Sequence, residues 1–285
     1  MTEARTRRTR QVLPANLVIG ACLVGLVALS VLVSFVWLPY DPNAMDFAAQ
    51  LSGPSAAHPL GTDQLGRDLL SRVLVGSRGA LYVGFVAVGI ALTLGCLIGA
   101  VAGFVGGFFD DVLMRIIDVL YAFPPILLAL LFAAIYTPST LTAMSAIGIA
   151  TAPVFARLLR ASVLELKNRD FVEAGRALGA GQRRLLLRHI LPNALSPIIV
   201  QASLSLAVAV LAEAALSFLG LGAPPRTPSW GNMLREAQGF LALSPYPVLV
   251  PGLAIIVTVL GWSLLGDGLR DVRDPRHTRS SRGSA

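Results

Sequence analysis

Six stretches of mainly apolar residues, at about 17–38, 80–104, 112–136, 141–159, 194–218 and 247–267, leave this chain few folds to choose from. Each approaches the roughly 20 residues that cross a hydrocarbon core about 30 Å thick. With 55% hydrophobic and only 14% charged residues, the chain holds more apolar surface than a water-soluble core of 285 residues can hide. The expectation is an all-α polytopic membrane protein of about six transmembrane helices. The run at 141–159 follows Pro138 and contains Pro153, so a kinked or re-entrant shape is open to it. The first run has a basic flank like a signal peptide. Its roughly 22 apolar residues nevertheless exceed an h-region, and no small-x-small cleavage site follows at 37–40, which favours a retained anchor.

A net charge of +7 raises the question of nucleic acid, and the positions of the cations answer it. With the N-terminus inside, the cytoplasmic segments hold Arg5, Arg7, Arg8, Arg10, Arg115, the eight of the 157–188 stretch, and Arg270, Arg273, Arg276, Arg279 and Arg282. That is eighteen against five outside: Arg67, Arg72, Arg78, Arg226 and Arg235. The bias places both termini and the loop at 160–193 in the cytoplasm and accounts for the basic balance without a nucleic-acid partner. Cys22 and Cys96 both lie in apolar runs, where a small buried residue is expected rather than a disulfide. The chain divides into a basic N-terminus (1–16), an anchor (17–38), an extracytoplasmic segment (39–79), a core (80–267) and a basic tail (268–285).

Between the fourth and fifth runs lies NRDFVEAGRALGAGQRRLLLRHILPNALSP, which reads as two short helices around a glycine turn at 179–181. Phe171, Ala174, Ala177 and Leu178 recur at helical spacing in the first half, with Glu173 and Arg176 on the polar side. Leu185, Leu186, Leu187 and Ile190 form an apolar face in the second. Such a pair wants a protein or lipid to cover its apolar stripe. The segment resembles the signature loop of ABC importer permeases, in which Glu-Ala-Ala is followed after three residues by Gly and later by Leu-Pro; the matching residues are Glu173, Ala174, Gly175, Gly179, Leu191 and Pro192. Gly175 stands for the second alanine and His189 for a usual isoleucine. The resemblance implies that the first helix couples to a cytoplasmic ATPase, with Glu173, Ala174, Gly175, Ala177, Leu178 and Gly179 at the contact.

A phosphate-binding loop ends in Gly-Lys-Ser or Gly-Lys-Thr, and the only lysine here, Lys167, follows Leu166. The nucleotide site is therefore expected on another polypeptide: no catalytic residue and no bound cofactor on this chain, with ATP and Mg on partner ATPase subunits. Segments 58–81, 108–124 and 213–234 resemble the C-type permease of dipeptide and oligopeptide importers, a group that also holds nickel and glutathione importers. The type I permease fold, a second homologous permease, an extracytoplasmic substrate-binding protein and a place in the bacterial cytoplasmic membrane follow from that resemblance.

Physical reasoning adds local expectations. Residues 62–75 suit an interfacial helix capped by Thr62, with Asp63 at its dipole and Leu65, Leu69, Leu70, Val73 and Leu74 on one side. Trp230, in the Pro-rich loop 224–232, suits a membrane-interface anchor or a surface for the binding protein. Arg115 and Asp118, at i, i+3, suit a mutual ion pair. Gln201, Ser205 and Glu213 make the fifth run the candidate for lining a pathway, where Glu213 could meet a peptide amino terminus or hold a gate. His58, His189 and His277 show no metal-binding spacing, and no metal site is expected.

Overall fold

The computed structural model describes residues 14–136, 139–222, 224 and 227–273. Among these residues the regular structure is all helical, apart from one isolated antiparallel bridge between Thr62 and Asp68, and the long stretch 37–68 is mostly irregular. In chain order the helices are α1 (Ala15–Val36), α2 (Leu69–Val105), α3 (Gly107–Ala122), α4 (Pro125–Ile135) and α5 (Thr140–Lys167). They continue as α6 (Asp170–Ala177), α7 (Gln182–Arg184), α8 (Leu191–Phe218), α9 (Trp230–Ala237) and α10 (Tyr246–Arg273). A π-helical turn at Leu185–Ile190 joins α7 to α8, so Gln182–Phe218 runs as one helix of 37 residues. Among the described residues five helices are long and apolar enough to cross a membrane, and the bent pair α3 and α4 has the length and composition of a sixth, as a broken span or a re-entrant loop.

One apolar run differs from expectation through proline chemistry, and another keeps its proline without breaking. The third, at 112–136, is not one helix: α3 and α4 meet at 86°. Pro124 and Pro125 stand in series there, and Phe123 (ψ 129°) and Pro124 (ψ 130°) take the extended backbone that a following proline favours. The fourth is instead one unbroken helix, α5, with Pro153 buried inside it. The expected interfacial helix at 62–75 is also absent as a separate element. Thr62 does not cap a helix. Its N–H and Oγ1 pair with the Ser52 main chain, both at 3.0 Å, and the helix begins at Leu69, capped by Asp68, which accepts from the Ser71 N–H at 2.7 Å. From there α2 runs 37 residues, about 55 Å, longer than the roughly 30 Å of a hydrocarbon core.

The bundle has two ends. One carries the segment 168–190, here called the loop end; the other carries the strap at 37–68 and α9, here called the strap end. Lys167, the only lysine, closes the loop end of α2 by donating to the Phe104 carbonyl at 2.7 Å, a cation at a helix C-terminus.

Small residues let the long helices touch backbone to backbone. A Cβ on Gly95 would fall 2.4 Å from the Ala152 carbonyl oxygen, and one on Gly99 2.3 Å from that of Ala156. One on Gly103 would fall 2.9 Å from that of Arg160, so three glycines four residues apart on α2 bed against α5. Gly20 and Gly268 do the same between α1 and α10, each with a notional Cβ 2.4 Å from a facing backbone nitrogen. The central core gathers Met144, Phe155, Leu159 and Val163 of α5 with Val83 and Ala87 of α2 and Ile198 and Leu206 of α8. It continues through Val172, Leu185 and Ile190, which root the loop-end segment in the bundle.

α3 is tied to α5 by two ion pairs. Asp110 and Asp118 are eight residues, about 12 Å, apart along α3, yet they pair with Arg160 (2.5 Å) and Arg157 (2.7 Å), about 4.5 Å apart along α5. Asp118 therefore pairs with Arg157 of α5 and not, as expected, with Arg115 of its own helix.

Candidate functional site

The loop end is built as a displayed helix on a buried root. Asp170 and Glu173 lie in the first turn of α6, where the helix dipole favours them. Its end is a Schellman motif: the Gly179 N–H donates to the Arg176 carbonyl and the Ala180 N–H to the Gly175 carbonyl, both at 3.0 Å. Gly179 sits at φ +82°, which L side chains rarely adopt, with open space where a Cβ would be, so backbone conformation is what selects glycine there.

Val172 and Leu185 are fully buried, clamping α6 to the root of α8. Gly175 faces that root as well, since a Cβ there would come 3.0 Å from a terminal methyl of Leu185. The other residues of the stripe point away from the bundle. Leu178 is 88% exposed and Phe171 42%, and Glu173, Ala174, Ala177 and Gly179 are exposed around them. The structure thus brings all six expected contact residues onto one small knob. The second half of the loop is not a free helix, because its π turn passes straight into α8. Exposed Phe171 and Leu178, with exposed Glu173, Arg176, Arg183 and Arg184 on the same segment, have the composition of a protein-docking surface.

The strap end holds a charged cluster that sequence reasoning missed. Asp63 accepts from the N–H groups of Leu65 (2.8 Å) and Arg67 (3.0 Å), and its second oxygen pairs with Arg67 Nε at 2.6 Å. Glu236 of α9 bridges Arg67 (2.5 Å) and Arg72 (3.0 Å). The arginine side chains are 7% and 3% exposed, so the strap, α2 and α9 are joined by ions held out of water. A separation of 164 to 169 residues hid Glu236 from sequence reading; the available signal was Arg72, three residues into an apolar helix and in need of a counter-ion. His58 and Asp68 pair at 3.0 Å beside Tyr40.

Trp230 is not an interface anchor but a buried joint: it opens α9 and donates through Nε1 to the Val73 carbonyl at 3.1 Å. Residues 223, 225 and 226 of its loop, the N-terminal and distal C-terminal arginines and His277 lie outside the described residues.

On α8, Gln201 is half-buried and donates to Ser205 Oγ at 3.3 Å. Ser205 and Glu213 are buried within the subunit, Glu213 accepting from Ser217 at 2.7 Å. Beyond Asn193 the surface that α8 leaves uncovered is mainly apolar, with Leu195, Ile199, Val208 and Leu211.

Comparison with known proteins agrees with this anatomy. The family described as binding-protein-dependent transport system inner membrane component matches residues 80–279. The dipeptide transport system permease protein of Alkalihalophilus pseudofirmus is 47% identical and covers 80% of this chain and 75% of its own. The glutathione transport system permease protein of Pectobacterium atrosepticum is 42% identical over 90% of this chain and 87% of its own. Among solved structures, the methionine ABC transporter MetNI in inward-facing conformations superposes at TM-score 0.59 and 20% identity, over 71% of this chain and 96% of that one. An amino acid ABC transporter with histidines gives 0.55 at 20% identity, over 70% and 94%. At that identity the likeness is one of fold.

Proposed function

We propose a function from one premise: the chain belongs to the family of binding-protein-dependent transport system inner membrane components. It is a permease subunit of an ATP-driven importer for dipeptides and oligopeptides, forming half of the translocation pathway beside a second, homologous permease. Substrate arrives on an extracytoplasmic binding protein, and ATP with Mg is consumed on separate ATPase chains. The loop end faces the cytoplasm and the strap end the exterior, in the bacterial cytoplasmic membrane. On α8, the half-buried Gln201 is the group best placed to meet the pathway, with Ser205 and Glu213 behind it.

One observation carries the reading: α6 is rooted by Val172 and Leu185 yet turns Phe171, Glu173, Ala174 and Leu178 outward. A helix held rigidly from behind and uncovered in front suits a groove in a moving partner. Closure of the ATPase pair would push α6, and its root would pass the displacement into the spans as a rigid-body movement.

The test is reconstitution of the whole importer with Gly179→Val or Glu173→Ala in this chain. We expect uptake to fall about tenfold, a coupling loss of about 1.4 kcal/mol, with the protein still inserted and ATP still hydrolysed. Normal uptake in both variants would remove α6 from the coupling role. A second reading rests on the glutathione permease relatives: the same architecture importing that tripeptide. Titrating the cognate binding protein with di-, tri- and longer peptides, glutathione and Ni²⁺ separates these cargoes.

A further inference from the structure

Between α1 and α2, near the strap end, lies a groove of about 450 Å³ lined by Val31, Phe35, Arg78, Leu81, Tyr82 and Phe85. Its walls are aliphatic and aromatic except at Arg78. The guanidinium donates through Nε to Ser34 Oγ at 2.6 Å and through a terminal nitrogen to the Ser34 carbonyl, and it lies 4.0 Å above the Phe35 ring. Among the described residues no carboxylate comes within ion-pair distance of it, whereas the nearest arginines before it in the chain, Arg67 and Arg72, each have one. Two of its five N–H groups are used, leaving donors for an anion.

Depth identifies the anion's source. α1 has 22 residues, about 33 Å, which just covers the hydrocarbon, and Ser34 is two residues from its end. Arg78 therefore stands where apolar chains meet headgroups, with the apolar groove beside it and Tyr82 exposed at its side.

We propose that this groove is a phospholipid site, in which an acyl chain lies between α1 and α2 and Arg78 binds the phosphodiester. The leaflet is the one at the strap end, the outer one on the topology proposed above; the site itself does not depend on the transport reading. Guanidinium and phosphate match as charge and as hydrogen-bond fork, and a phosphodiester supplies the counter-ion that the protein withholds. The competing occupant is a helix of the companion permease.

The experiment places the photo-crosslinker benzoylphenylalanine at Tyr82 in the assembled importer, in vesicles of phosphatidylglycerol and phosphatidylethanolamine, and weighs the product by intact mass. We expect a phospholipid adduct that falls about fivefold with Arg78→Gln, returns in part with Arg78→Lys, which restores the charge but not the fork, and survives Ser34→Ala, which loosens the clasp but spares the cation. Ser34→Ala also shows that a folded α1–α2 pair suffices for labelling. A crosslink to the companion permease, no lipid adduct, or an adduct indifferent to Arg78→Gln would overturn the proposal. Uptake plays no part in the readout, so failure here leaves the importer assignment standing.

Discussion

Gly99 leaves no room for a side chain, since a Cβ would sit 2.3 Å from the Ala156 carbonyl oxygen. Gly99→Val should cost about 2–3 kcal/mol by forcing α2 off α5, read as a lowered midpoint of thermal unfolding in detergent. Gly89→Val is the control, because nothing lies within 4 Å of its Cβ; equal losses at both sites would refute the seam. Glu236 presents the opposite hazard, a charge whose removal strands its partners. Glu236→Gln leaves Arg67 and Arg72 buried with Asp63 alone, and Glu236 is itself only 32% exposed, so about 2–3 kcal/mol should be lost. Faster limited proteolysis within 37–68 would report the loosened strap, and wild-type resistance would argue that the cluster is not its fastening. The glycine spacing Gly95, Gly99, Gly103 is legible in the sequence. Glu236 is not, since ion pairs across 164 residues follow from chain path alone.

Among the elements, α6 was the most legible, because caps, turns and stripes are local. Its Schellman end needs only Gly179 at φ +82°, and Gly175, inside α6, departs from the family pattern at a place where alanine is nearly accommodated. An alanine at 175 would press on a Leu185 methyl at 3.0 Å, contact that a flexible side-chain end can relieve, while gaining up to about 1 kcal/mol of helix propensity. Gly175→Ala should therefore leave unfolding within about 0.5 kcal/mol of the parent and uptake unchanged, checked by denaturant titration and a transport assay. A large loss of either would mean that α6 packs more tightly on its root than this contact implies. The broken span was written in Pro124 and Pro125 but outweighed by the apolar length of 112–136. Pro153 left a kink or a re-entrant shape open for the fourth run; α5 instead runs whole, packed on α2 along the Gly95 to Gly103 seam.

At the scale of the molecule, orientation is the claim with most at stake. With Cys22→Ala and Cys96→Ala as background, a Leu178→Cys variant should react with a membrane-impermeant thiol reagent in inverted vesicles and not in intact cells. Addition of the ATPase chains should then protect it, since Leu178 is 88% exposed only while α6 is uncovered. Labelling from outside the cell would reverse the topology and withdraw the coupling role with it. By itself the sequence determined the solvent, the number of spans to within the bent one, the loop-end motif and the lack of a phosphate loop, because each depends on composition or on residues a few places apart. Only the tertiary structure decided that α2 runs unbroken from the strap into the membrane, that Asp118 meets Arg157 and that Trp230 is buried. It also decided that Glu236 holds two arginines and that Arg78 lines a groove between α1 and α2 with no carboxylate within ion-pair distance among the described residues. These are pairings between distant segments, fixed by how helices cross, and helix crossing is set by packing that no single segment contains.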